Sequence, residues 1–291
     1  ETGGMAIGYK TTNYDTFLTN LAHQKMSYAK FDSTYVNNYV KNQTPFETAM
    51  QDVKANFGLT LPTDPDAANA GKLLLTDYEV ENLRKAYERS GISANPDYQN
   101  FIRDNGWWLN DYALFMALKT FFHDQPFRAW PEDIRMHWGF ALEHYNRELY
   151  FDIEFQKYMQ FKFNQQWSRL KAYANGKHIQ IVGDIPIYVS PDGADVWAHP
   201  ELFQLDAHNA PTAIAGCPPD AFAKDGQAWG NPLYNWNFHR ATDFAWWVSR
   251  MWYSFKLYDV VRIDHFRGFD EYFSIPADAK TARDGHWEKG P

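Results

Sequence analysis

The sequence predicts an α/β fold built on parallel strands, of the kind that closes into a barrel. Three observations carry that expectation. The β-branched run Val260-Val261-Arg262-Ile263 ends in Asp264, and reads as a buried strand delivering an acid to its C-terminal tip. A second apolar run, Ile179-Gln180-Ile181-Val182, ends in Gly183-Asp184. An amphipathic helix over 243–257, carrying Phe244, Trp247, Met251 and Phe255 at helical spacing, leads straight into a strand at 259–263. Strand, long connection, helix, strand is a parallel crossover unit.

The preceding elements follow from spacing and punctuation. Glu1-Thr2-Gly3-Gly4 reads as a frayed end and is left out of the fold reasoning. Residues 13–60 show helical spacing in patches (Phe17, Leu21, then Met50, Val53, Phe57), and Leu61–Asp66 reads as a linker or long turn. Thr76-Asp77-Tyr78-Glu79 is a capping box opening a helix with Val80, Leu83 and Tyr87, closed near Gly91. Asn95-Pro96 is a break, and Asn110-Asp111 caps a helix bearing Tyr112, Phe115, Met116 and Leu118. One long helix, kinked midway, is expected from Pro131. Its stripe runs from Trp138 through Leu142, Tyr145, Leu149 and Phe155 to Met159, Phe163, Trp167 and Leu170, with Asn175-Gly176 as terminator. Residues 190–236 lack periodicity and are rich in Pro, Asp, Gly and Trp, so they read as a long functional loop.

Composition narrows the function classes. Aromatic residues make up 18% of the chain, enough to fill a core and also to offer flat walls to sugar faces. The net charge is −8 with no basic run, which argues against nucleic acid as a partner. No apolar stretch approaches a membrane span, and no secretory leader is expected. Cys217 is the single cysteine, so no internal disulfide forms and a cytoplasmic location is expected. Asn42-Gln43-Thr44 fits a glycosylation sequon of the kind that arises by chance. The scattered histidines show no metal-ligand spacing.

The chemistry gathers around two strand-end acids, Asp184 and Asp264, which a parallel barrel would bring to one face. Arg262, two residues before Asp264, shares its side of the strand and would orient it, although Arg-x-Asp also suits a plain strand-end ion pair. Paired carboxylates with aromatic walls point to glycosidic-bond chemistry, where one carboxylate attacks or stabilises the anomeric carbon and an acid supports the leaving oxygen. Trp229 reads as a sugar platform or as packing beneath a loop. Asp220 reads as a substrate contact or as the turn residue of Pro218-Pro219-Asp220. His265 is a contact or a satisfied core histidine, Tyr188 a contact or a core tyrosine, and Cys217 a small apolar filler.

Four motifs in order then identify a likeness. They are Gly183-Asp184-Ile185-Pro186-Ile187-Tyr188-Val189, Cys217-Pro218-Pro219-Asp220, Gly226-Gln227-Ala228-Trp229-Gly230-Asn231-Pro232-Leu233-Tyr234 and Val261-Arg262-Ile263-Asp264-His265-Phe266-Arg267-Gly268. Together they resemble the 4-α-glucanotransferases called amylomaltases or disproportionating enzymes. Trp108-Leu109-Asn110-Asp111-Tyr112-Ala113-Leu114-Phe115, Gln165-Gln166-Trp167 and Lys289-Gly290-Pro291 extend the likeness across roughly 95–291. Residues 1–94 show no match.

The resemblance implies part of a (β/α)8 TIM-type barrel, a distant relative of the α-amylase barrel, with helical insertions and incomplete at both ends. In that scheme 1–94 are an unassigned, mostly helical region and 95–177 a helical insertion. Residues 178–291 are a partial catalytic barrel with the active-site loop 190–236. It implies disproportionation of α-1,4-glucans and maltooligosaccharides by retaining double displacement, without metal or diffusible cofactor. Asp264 stands at the nucleophile position and Arg262 at the matching arginine, with His265 and Asp184 as substrate contacts. Asp220, Trp229 and Asn231 line the acceptor side. The family's acid/base glutamate and a further stabilising aspartate are expected beyond Pro291, on a segment or chain that completes the barrel. Asp270 and Glu271 read instead as exposed loop acids. A noncatalytic glucan-binding module and an α-amylase-type hydrolase are the alternative readings.

Overall fold

Asn95-Pro96 marks a break between two helices and starts the second. In the computed structural model, which describes residues 77–291, Asn95 accepts hydrogen bonds from the Asp97 and Tyr98 amides and Pro96 occupies the first turn. This helix, α2 (Pro96–Phe121), buries Tyr98, Phe101, Trp108, Tyr112 and Phe115 along one face. That face runs unbroken past Asn110-Asp111, which therefore lie inside the helix and cap nothing. Before it, α1 (Asp77–Ser90) ends at Gly91, whose φ of 55° is the left-handed turn a glycine closes best. The expectations for 13–60, the linker at 61–66, the sequon and Thr76 lie outside the described residues.

The single long helix expected from Pro131 is three: α3 (Glu132–Arg135), α4 (Gly139–Glu148) and α5 (Tyr150–Gly176). His137, at φ 58°, turns the chain between the first two. The break rotates the stripe, so Trp138 is 44% exposed while Leu149 and Phe155 stay buried. Helices α2 and α5 pack through Tyr98 and Phe101, whose rings meet Phe161 at 5.3 and 5.5 Å. Among the described residues no helix is long and apolar enough to cross a membrane.

Two strands run parallel: β1 (Val182–Pro186) and β4 (Val260–Asp264), in register from Val182↔Val260 to Pro186↔Asp264. Between them lie α6 (Ala194–Ala198), β2 (Ala213–Cys217), β3 (Gln227–Pro232), α7 (Trp236–Ala241) and α8 (Ala245–Leu257). The crossover expected from sequence is present, with α8 feeding β4 directly. Its buried face is Trp247, Arg250, Tyr253, Ser254 and Leu257; Phe255 is 54% exposed. The helix turns this way because Arg250 points inward to backbone carbonyls at the end of β1.

Three expectations are corrected. Asp184 is not at a strand tip, since β1 continues to Pro186. The parallel strands are not buried: Val182, Val260, Arg262 and Asp264 are exposed and Val261 and Ile263 half-buried. The region 190–236 is not a structureless loop, because β2 and β3 join β5 (Glu271–Pro276) and β6 (His286–Lys289) in an antiparallel sheet of order β3-β2-β5-β6. A register irregularity between Ile214 and Gly216, with no in-out alternation of burial in either strand, hides their period in the sequence. The described residues thus form a mixed α/β structure with one parallel pair, and no barrel closes among them.

Gly183 explains how β1 sits so close to the chain entering β4. A Cβ there would overlap the Tyr258 ring, which in turn packs edge-on against Trp167 at 5.8 Å. Gly183→Ala must displace that ring, an overpacking cost of about 1–3 kcal/mol. The expected result is a lower urea midpoint; an unchanged midpoint contradicts this packing.

Candidate active site

The parallel register sets Asp184 beside Arg262 and Pro186 beside Asp264. Arg262 and Asp264, two residues apart, share one face of β4. The guanidinium is divided between the acids: Nε lies 3.2 Å from Asp184 Oδ1 and Nη2 3.4 Å from Asp264 Oδ1. All three side chains are more than half exposed, at 65% for Arg262, 53% for Asp184 and 63% for Asp264. Exposed pairs contribute only about 0–1 kcal/mol to stability. Stabilising the fold is therefore a poor account of the cluster. Holding two carboxylates at a set spacing is a better one.

His265 follows at φ 54°, a strained conformation for a residue with a side chain, before the helical turn Phe266–Phe269. Its ring meets Trp229 edge-on at 5.0 Å and lies 6.4 Å from Tyr188. Burial pushes the His265 pKa down; the Asp264 charge opposes this and Arg267 adds to it. Its Nε2 is buried without a partner. Gly268 lets the turn close, since a Cβ there would meet Ile187 Cδ1 at 2.8 Å and the Tyr188 hydroxyl at 3.3 Å.

Trp229, on β3, is 37% exposed, and its indole N–H donates to Gln227 Oε1 at 3.0 Å. The structure thus groups Asp184, Arg262, Asp264, His265 and Trp229. Two other residues have backbone tasks. Asn231 Nδ2 donates to the Val189 carbonyl at 2.7 Å. Asp220 accepts from the Phe222 and Ala223 amides at 2.8 and 2.6 Å, which closes its own turn. Cys217 is half-buried in β2, with its thiol pKa raised first by burial and then by Asp220. Tyr188 is buried, stacks on Tyr234 at 6.0 Å, and has its pKa raised by that burial.

Arg250 and Tyr234, both buried, hold the segment after β1; Tyr234 closes the third sequence motif, whereas Arg250 lies in none of the four. The only signal for the latter was an arginine on the apolar face of α8, three residues after Trp247. A cavity of about 70 Å³ between α2, α6 and α8 is lined by Trp107, Trp108, Asp111, Asp195 and Tyr253 and by none of the grouped acids. Among the described residues no three His, Cys, Asp or Glu side chains are arranged to hold a metal ion.

Comparison with known proteins agrees with the sequence likeness and corrects its extent, because the match reaches into residues 1–94, where none was expected. A family profile described as 4-alpha-glucanotransferase matches residues 14–291. A 4-alpha-glucanotransferase of Clostridium butyricum is 45% identical over 219 residues, covering 75% of this chain and 45% of the relative. One from Streptococcus pneumoniae serotype 4 is 48% identical over 211 residues, covering 72% of this chain and 42% of the relative. The chain therefore spans less than half the length of these curated relatives. Among solved structures, the Streptococcus agalactiae amylomaltase in complex with acarbose has a TM-score of 0.70 at 36% identity, covering 88% of this chain and 50% of that one. The Corynebacterium glutamicum amylomaltase, at 19% identity and TM-score 0.57, covers 73% of this chain and 28% of that one and shows a likeness of fold alone.

Proposed function

Because the chain belongs to the 4-alpha-glucanotransferase family, we propose that it carries the nucleophile side of a site that moves α-1,4-glucan segments between chains. The observation that carries this reading is the guanidinium of Arg262, shared by Asp184 and Asp264 across a parallel strand pair. In the larger fold, β1 and β4 are neighbouring strands of a parallel barrel. The acarbose complex of the neighbouring amylomaltase supports an oligosaccharide as the ligand.

The proposed reaction is a retaining double displacement. A carboxylate oxygen of Asp264 attacks the anomeric carbon as the glycosidic C–O bond breaks, and the leaving oxygen takes a proton from a carboxylic acid. An acceptor hydroxyl then attacks the glycosyl ester, returns its proton to that acid and frees Asp264. The proton donor is a carboxyl group other than the residues assigned here. Asp270 and Glu271 are already engaged by Lys289 at 3.0 Å and Arg267 at 3.6 Å. Asp184 contacts the sugar, while Trp229 and His265 flank the acceptor side. Asn231 and Asp220 shape that side through the backbone they hold.

Incubation of the full-length protein with maltotriose tests this. Glucose together with maltotetraose and longer products is expected. Glucose and maltose alone would favour a hydrolase, and binding without turnover a noncatalytic glucan-binding module. Trp229→Ala is expected to raise the acceptor KM about fivefold, the worth of one aromatic face contact of about 1 kcal/mol. An unchanged acceptor KM removes Trp229 from the acceptor side.

A further inference from the structure

We infer that Arg250 is a positioning residue for the acid pair, an inference that rests on reading Asp264 as the nucleophile. Arg250 is 7% exposed. Its Nη2 donates to the Pro186 carbonyl at 2.7 Å, and its Nη1 to the Ile187 carbonyl and the Tyr234 hydroxyl, both at 3.3 Å. The Tyr234 hydroxyl in turn donates to the Ile187 carbonyl at 2.6 Å. The guanidinium carbon lies 5.3 and 5.1 Å from the Trp246 and Trp247 rings. Among the described residues Arg250 forms no ion pair with a carboxylate.

A buried cation without a counter-ion is a poor way to stabilise a fold, because desolvation offsets much of what its hydrogen bonds return. What it supplies here is direction. The planar fork reaches two successive carbonyls while the indoles hold its plane, which a point-charge ammonium cannot copy. Those carbonyls matter because Pro186 is the register partner of Asp264. Its backbone faces away from β4, because the residues that bond β4 alternate from Ile181, so the Pro186 carbonyl takes no part in that ladder. Arg250 secures that end from the opposite side. Asn231 does the same for Val189 further along. Asp184 lies two residues upstream on the strand so held.

A shift of about 1 Å in a reacting group lowers rates by about 100-fold. Trp229 and His265, carried by β3 and the turn after β4, need not move with β1. Arg250→Met is therefore expected to lower kcat by about 100-fold with KM for maltotriose within about threefold, and Arg250→Lys to recover part of the loss. The test uses the full-length protein and its Arg250→Met, Arg250→Lys and Tyr234→Phe variants. Folded fraction is read by circular dichroism at the assay temperature, and active sites are counted from the burst of first product.

A purely structural role would lower the folded fraction and burst amplitude while leaving kcat per active site at the parent value. That result, or a raised KM with parent kcat, overturns the inference. If Arg250→Met does not fold, Arg250→Lys and Tyr234→Phe decide by the same measure. An inactive parent overturns the functional reading and this inference with it. An active parent whose variants keep their kcat overturns this inference alone.

Discussion

Asp264→Asn is expected to abolish glucan transfer while leaving the fold intact. An amide does not form the glycosyl ester that double displacement requires. Removing the nucleophile of a covalent mechanism costs about 10⁴-fold or more in rate. The fold should tolerate the change, because the side chain is 63% exposed and gives up one ion pair with Arg262 worth about 0–1 kcal/mol. Product redistribution from maltotriose and a thermal melt of the same preparation separate the two effects. Near-parent transfer by the variant would remove Asp264 from the mechanism. Loss of the melt would make it a structural residue.

Trp197→Ala is expected to give the largest loss of stability. Trp197 is fully buried, and its indole N–H donates to the Ile134 carbonyl at 2.8 Å. Its ring lies 5.7 Å from Phe115, 6.1 Å from Trp130 and 4.4 Å from His137. One residue of α6 thus ties the connection after β1 to α2 and to the turn between α3 and α4. Emptying such a site costs about 3–5 kcal/mol, and the Ile134 carbonyl also loses its donor. Against a typical domain stability of about 5–15 kcal/mol, that is about a fifth or more. A urea midpoint close to the parent's would show that this junction does not hold the helices to the strands.

The parallel pair was legible because β1 and β4 are short apolar runs and α8 runs straight into the second of them. The antiparallel sheet was not. β2 and β3 show no alternation of burial, and the irregularity at Ile214 and Gly216 shifts their register. The long helix from Pro131 failed at His137, whose left-handed backbone no pattern of apolar residues announces. Within the site, Arg262 and Asp264 could be placed on one face by the strand period alone. Asp184 joined them through pairing register, which the sequence only suggests. Asn231 and Arg250 reach carbonyls of Val189 and Pro186, and a sequence does not say which distant carbonyl a side chain will meet. Asp220 kept the turn that Pro-Pro-Asp favours.

Asp264 is expected to become covalently attached to sugar during transfer. A fluorinated maltosyl fluoride, which forms the ester quickly and releases it slowly, allows the full-length protein to be trapped, digested and mapped by mass spectrometry. The expected result is a stoichiometric glycosyl adduct on the peptide containing Val261-Arg262-Ile263-Asp264, absent from Asp264→Asn. An active protein that accumulates no adduct, or carries it on another carboxylate, would contradict the account.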